Sequence, residues 1–183
     1  TPADPVVAEF MRVIEEKGLK SFGLVPDFGM FIERPTEIAI KRYVGLGARR
    51  ETLEWIIANR HGGMSEEEMQ EHVAATMNGG EGERVAISEW FGYLSFAPAE
   101  LDSFAAMVPY VNYVHGKFYH LELDENGVVY EPTIPYERAL SILARGGFRG
   151  VLITEYEGHA FYLDDADEQI GRHLALGRSI LEG

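Results

Sequence analysis

The sequence predicts an α/β fold in which helices cover a parallel sheet. Two observations carry that expectation. Short continuous apolar runs, "FGLV", "VNYV" and "VLIT", read as strands buried on both faces. They alternate along the chain with stretches whose apolar residues recur at helical spacing, the order expected of β/α units. At 183 residues the chain is long enough for one domain, 1–183, with a real core.

Val6, Val7, Phe10, Val13 and Ile14 mark a helix from Pro5 to about Lys20, with Gly18 as its stop. "SFGLVPDFGMF" follows as a buried strand up to Val25, ended by Pro26 and reaching Asp27. Thr36 can cap a helix through Val44. Residues 45–108 read as a helical insertion or lid within the domain. "RRETLEWIIANRH" and "SEEEMQEHVAATM" are helical there, "NGGEGE" a flexible turn, and "ISEWFGYLSF" fits helix or strand. Trp55, Trp90, Phe91 and Tyr93 are its anchors, or its own small core. "APAELDSFAAMV" is a helix with Pro98 near its first turn. "YVNYVHGKFY" is a strand reaching His115, and Asn126-Gly127 is a hairpin signal. "PYERALSILARGG" is an amphipathic helix closed by glycines, "GVLITEYEG" a strand, and the last helix is capped by Asp164 or Asp165.

The formal charge of −14 repels phosphate backbones and argues against general nucleic-acid binding. No apolar run approaches the ~20 residues of a membrane span. There is no cysteine, which excludes disulfides, thiolate nucleophiles and Cys-based zinc sites. With no basic-then-apolar leader either, the expected location is the cytoplasm. The start Thr-Pro-Ala-Asp-Pro, without methionine, suggests a processed start or a segment of something longer.

Three strands run straight into an ionisable side chain: Asp27 after "FGLVP", His115 after "VNYV" and Glu155 after "VLIT". In parallel α/β folds such strand ends converge on one crevice or barrel mouth. Two carboxylates and an imidazole suit Mn²⁺, Mg²⁺, Co²⁺ or Fe²⁺ better than structural zinc. Each residue also has a plain structural role open to it: Asp27 as a turn acid, His115 as a satisfied buried histidine, Glu155 as a capping or surface carboxylate. Lys117 and Glu157 lie two residues beyond His115 and Glu155, on the same faces. Lys117 is placed either to contact a substrate oxygen or to be a surface lysine. His120 and His159, in the following loops, are acid/base candidates.

The segments "GLVPDFGMF", "YVHGKFY" and "IPYERALSILARGGFRGVLITEYEG" resemble the xylose-isomerase-like TIM-barrel superfamily of sugar phosphate isomerases and epimerases. The wording "HGKFY…IPY…GGF…EYEG" is similar to that of the catalytic alpha subunits of C-glycoside deglycosidases. The resemblance covers residues 1–44 and 109–183. It implies the C-terminal portion, about three β/α units, of a (β/α)8 barrel, since a whole barrel takes roughly 250 residues. It also implies a divalent metal, usually manganese, held by two Glu, one Asp and one His. Asp27, His115 and Glu155 match three of these, and the fourth, a Glu, belongs to a strand before Thr1. Met30 and Leu121 stand where many epimerases have His and Arg, so hydroxyl or phosphate recognition differs from theirs.

The activity implied first is a metal-dependent isomerase or epimerase moving a proton next to a carbonyl of a sugar, with Glu155 as ligand and base. The alternative is a deglycosidase-like lyase on 3-keto glycosides, with His120 or His159 as acid/base and a smaller second subunit. A third is a non-catalytic barrel fragment acting as an interaction module. Alone, three parallel strands expose apolar sheet edges. The remaining strands are therefore expected from the same longer chain or from another chain, in an oligomer.

Overall fold

The computed structural model describes residues 4–158 and 165–181. It is a mixed α/β structure with a small parallel sheet. Two compact units appear, one formed by Thr1–Phe31 with Pro98–Gly183, the other by Ile32–Ala97.

The first unit opens with helix α1 (Pro5–Lys17). Asp4 Oδ1 accepts from Val6 N at 2.7 Å and Pro5 fills the first turn, where a missing N–H costs nothing. Gly18 ends the helix at φ 61°, the left-handed cap. Of its apolar residues, Ile14 is buried, while Val6 and Phe10 are 76% and 41% exposed.

The expected first strand is an extended segment carrying two parallel bridges, Leu24 to Val111 and Asp27 to His115. Its ladder is short because Pro26 has no N–H to give, although Pro26 O accepts from His115 N at 2.9 Å. A 3₁₀ turn over Phe28–Phe31 follows. After helix α6 (Leu101–Met107) and a second 3₁₀ turn, strand β1 (Tyr113–Phe118) pairs in parallel with β4 (Val151–Tyr156), His115 opposite Ile153 and Lys117 opposite Glu155. Both strands continue past the points the sequence marks, so His115, Lys117 and Glu155 lie within them rather than beyond their ends. β2 (Glu122–Leu123) and β3 (Val129–Tyr130) form the hairpin. Gly127 sits at φ 78°, and Asp124 Oδ1 accepts from Asn126 N and Val128 N at 2.8 and 2.7 Å.

Helix α7 (Tyr136–Arg145) buries Tyr136, Ala139, Leu140 and Leu143, a stripe at i, i+3, i+4 and i+7. Helix α8 (Ala166–Leu181) buries Gln169, His173 and Leu176 and packs on α7 and β4. Asp165 caps α8 by accepting from Asp167 N at 2.9 Å; Asp164 lies outside the described residues. Phe28, Phe31, Phe104 and Tyr136 meet edge-on, with centroids 4.9–6.3 Å apart.

The strands are not buried on both faces. Val114, Gly116 and Phe118 face the helices and are buried, whereas Val25, Tyr113, Val151 and Ile153 are 38–63% exposed. A parallel sheet is apolar on both faces, and among the described residues helices cover one of them.

The second unit holds α2 (Glu37–Gly45), α3 (Arg50–Asn59), α4 (Glu66–Met77) and α5 (Glu81–Phe91). Its core gathers Ile40, Tyr43, Leu53, Ile56, Met69, Ile87, Trp90 and Phe96. It begins and ends earlier than the 45–108 insertion marked in the sequence. Ile40 and Tyr43 of α2 join this core, whereas α6 packs on α7 in the first unit. "NGGEGE" is not a free turn. Glu81 already starts α5, and Glu83 accepts from Gly80 N at 2.9 Å. Thr36 caps α2, and Ser65 and Glu68 form a capping box on α4. Trp90 is fully buried and Tyr93 is 78% exposed, with Trp55 and Phe91 packed at the margin. Trp90, Trp55 and Phe91 serve the unit's own core, and Tyr93 does not.

Candidate metal centre

Asp27, His115 and Glu155 come together. Each offers one ligand atom, and these atoms all lie within 4.8 Å of one another. Three segments place them. Asp27 bridges to His115 across one edge of β1, and Glu155 of β4 lies opposite Lys117 across the other. Side chains alternate along a strand, so His115, Lys117 and Glu155 stand on the face that the helices leave open. Asp27 is oriented by its turn, with Oδ1 accepting from Gly29 N at 2.7 Å, so it serves as turn acid and cluster member together.

His115 Nδ1 lies 3.2 Å from Glu155 Oε2. The approach lacks hydrogen-bond alignment, and Glu155 Oε2 is buried with no hydrogen-bond partner among the described residues. A buried carboxylate oxygen without a hydrogen-bond partner, beside an imidazole nitrogen and a second carboxylate, is a donor set that a cation would satisfy. The donors are oxygen and nitrogen without sulfur, which suits Mn²⁺, Mg²⁺, Co²⁺ or Fe²⁺. The residues present therefore fit a divalent cation.

Lys117 is drawn into the same cluster. Its Nζ is 3.0 Å from Asp27 Oδ2, 3.8 Å from Glu157 Oε1 and 3.9 Å from Glu155 Oε1. Burial alone would favour the neutral amine. The Asp27 hydrogen bond and the charges of Asp27, Glu155 and Glu157 outweigh it and hold the ammonium above the ordinary lysine range. Lys117 is thus a fixed positive charge rather than a base, and it is only 20% exposed, not a surface lysine.

His120 stands apart from the donor cluster. It follows the end of β1, its Nδ1 3.4 Å from Gln169 Nε2 of α8. His159 lies outside the described residues.

The sequence reading missed the groups behind the sheet. His173 is 1% exposed. Its Nε2 lies 2.6 Å from the Tyr136 hydroxyl and its Nδ1 3.0 Å from Thr154 Oγ1, while its ring stacks on Phe118 at 4.8 Å. Burial pushes its imidazole down to about 4, so it is neutral at pH 7. The signal available was the i, i+4, i+7 spacing of Gln169, His173 and Leu176 on α8, which puts the histidine on the buried stripe. Glu131 was also missed. It is buried before α7, accepting from Thr133 N at 2.6 Å and from Ile134 N. Burial pushes its carboxyl up to about 7 although these hydrogen bonds pull the other way. No helix among the described residues is long and apolar enough to cross a membrane.

No family model matches the chain. Over an alignment 188 positions long it is 28% identical to a 3'-dehydrocarminate deglycosidase alpha subunit from a Microbacterium species, which takes in 96% of this chain and 53% of that protein. Over 88 residues it is 35% identical to a C-glycoside deglycosidase alpha subunit from Microbacterium trichothecenolyticum, 48% of this chain and 23% of that one. Over 63 residues it is 41% identical to a C-glycoside deglycosidase alpha subunit from Arthrobacter globiformis, 34% of this chain and 16% of that one. The chain spans about half the length of the dehydrocarminate relative and less than a quarter of the other two in their matched parts, and each of these three is a deglycosidase alpha subunit.

Proposed function

We propose that the chain is part of the catalytic subunit of a deglycosidase-like lyase acting on 3-keto C-glycosides. The observation that carries this reading is the alignment of 96% of the chain with a deglycosidase alpha subunit. The open donor face of the sheet supports it. A carbonyl at the sugar's third carbon acidifies the hydrogen on the second. When that C–H bond breaks, its electron pair forms a double bond to the first carbon. The bond from the first carbon to the aglycone then breaks, and the departing carbon takes up a proton.

Asp27, His115 and Glu155 would hold a divalent cation, for which Mn²⁺ is the expected choice. When bound, it supplies Lewis-acid stabilisation of negative charge developing beside a carbonyl. Glu155 is assigned removal of the proton, its carboxylate half-buried on the open face. Lys117 stays protonated and faces developing negative charge with a fixed positive one. Reprotonation of the leaving carbon is assigned to His120 or His159.

The same reading makes the sheet part of a TIM barrel. The parallel order, the apolar residues exposed beside the donors, and the relatives' greater length support it. The uncovered strands and a fourth carboxylate ligand would come from elsewhere in the same polypeptide or from a partner chain. A smaller second subunit is the expected partner, in keeping with relatives named as alpha subunits.

The test is to supply the protein, with Mn²⁺, either a 3-keto C-glycoside or a ketohexose and to follow both by chromatography. Free aglycone from the first, with no change in the second, is the expected result. Conversion of the ketohexose alone would restore the isomerase or epimerase expectation. Turnover of neither would leave the interaction-module reading.

A further inference from the structure

Directly behind the donor face, two buried groups, Tyr136 and His173, and the half-buried Thr154 tie the two strands together. Gly116 lies between His115 and Lys117 and pairs with Thr154, the neighbour of Glu155. A side chain at Gly116 would have no room. A Cβ there would meet the Tyr136 hydroxyl at 2.8 Å and Ile153 O at 2.9 Å. Tyr136 therefore presses its hydroxyl against β1 at the residue flanked by two members of the cluster. That hydroxyl lies 2.6 Å from His173 Nε2, and His173 Nδ1 is 3.0 Å from Thr154 Oγ1 on β4.

The roles can be assigned. If the tyrosine hydroxyl donates to Nε2, the proton on the neutral ring resides on Nδ1 and is donated to Thr154 Oγ1. One imidazole thus connects the group lodged under Gly116 to the group beside Glu155. Its ring lies flat on Phe118, with 5° between planes, so it has little freedom to tilt. One turn earlier Gln169 Oε1 accepts from Leu121 N at 2.8 Å, and Arg172 donates to Leu121 O at 2.7 Å. Helix α8 therefore grips β1 and the segment leaving it at successive points, while His173 also bonds across to Thr154 of β4.

We propose, resting on the metal reading above, that His173 is a positioning residue for the Asp27, His115 and Glu155 donor set. Its bonds to Tyr136 and Thr154 hold β4 level with β1 and so hold Glu155 at the right height beside His115. A shift of one strand by even part of a residue would carry Glu155 out of reach of a point shared with His115. A metal site tolerates only a few tenths of an ångström in ligand distance. His173 touches none of the three donors itself. It acts through Thr154 and through Tyr136.

The test is Mn²⁺ titration of the protein together with whatever polypeptide or partner supplies the remaining strands and the fourth carboxylate, read by calorimetry and by the electron paramagnetic resonance spectrum of the bound ion. His173→Phe keeps an aromatic ring against Phe118 and makes neither bond. We expect it to fold and to lose affinity on the order of tenfold or more, with an altered spectrum. His173→Gln, which can bond one partner, should recover part of both. Thr154→Val, of similar volume, removes the β4 bond alone and should also weaken binding, which keeps the test decisive if the phenylalanine variant fails to fold. A purely structural histidine would change the melting temperature and leave affinity and spectrum at wild-type values in the folded variants. That outcome overturns the positioning role. If the wild-type protein, with the remaining strands present, takes up no Mn²⁺, the metal reading falls and the positioning role with it, so the wild-type control separates the two failures.

Discussion

The two units use the same kinds of side chain for opposite ends. In the helical unit, Glu89 is held by Arg42 at 2.6 and 3.0 Å and by the Tyr43 hydroxyl at 2.5 Å. Glu83, 1% exposed, accepts from Arg49 N at 2.8 Å and Gly80 N at 2.9 Å. Burial would push both carboxyls up, but these partners hold them below the usual carboxylate range. In the sheet unit, three carboxylates crowd one lysine, and Glu155 Oε2 is buried with no hydrogen-bond partner among the described residues. A carboxylate whose lone pairs are all used is a structural part. One buried beside other donor atoms without a hydrogen-bond partner is available for a ligand.

The sharpest way to break this contrast is His115→Ala. It should reduce Mn²⁺ affinity by at least on the order of a hundredfold, measured by calorimetry, with an unchanged urea midpoint. A change confined to stability would make the cluster structural, like Glu89.

The converse variant is Glu83→Ala. It removes the acceptor of the Arg49 and Gly80 N–H groups and should cost about 1–2 kcal/mol in urea unfolding, with Mn²⁺ binding at wild-type affinity. Loss of metal binding there would erase the distinction between the units.

The smallest effect is a pH dependence. His173 is held at about 4 when folded, against an ordinary value of 6.5. Its folded-state value is depressed, so the unfolded chain binds the extra proton in that window. Its contribution is complete above the unfolded value and is lost as pH falls from 6.5 towards 4. Between pH 7 and 5 that amounts to about 2 kcal/mol. Urea unfolding at the two pH values, compared with His173→Gln, isolates it from the titration of the carboxylates, since the variant should lose less stability over the same interval. Equal losses would mean that His173 is not a buried neutral base.

Much of the local structure was legible. Thr36, Gly18 and Gly127 act within four residues of themselves, so their chemistry can be read without knowing what packs on them. The three donors were legible for a related reason: a strand's apolar run and the polar residue closing it are neighbours in sequence. Less was legible wherever packing overruled local signals. "NGGEGE" reads as flexible, yet Glu83 turns back to bond Gly80 N and Arg49 N, and the segment becomes helix. Lys117 reads as a surface lysine or a substrate contact, and the crowding of Asp27, Glu155 and Glu157 around it appears only once β1 and β4 are in register.

By itself the sequence determined which residues could donate to a cation, where Thr36 and Gly18 bound their helices, and that the strands carrying the donors would be parallel. Only the tertiary structure decided that Asp27, His115 and Glu155 meet, that one face of their sheet stands open, and that His173 joins β1 to β4 from behind. The physical reason is range. Caps and turns are settled by atoms a few bonds apart along the backbone, whereas the meeting of the donors depends on the relative height of strands nearly forty residues apart, which side-chain packing across the sheet sets.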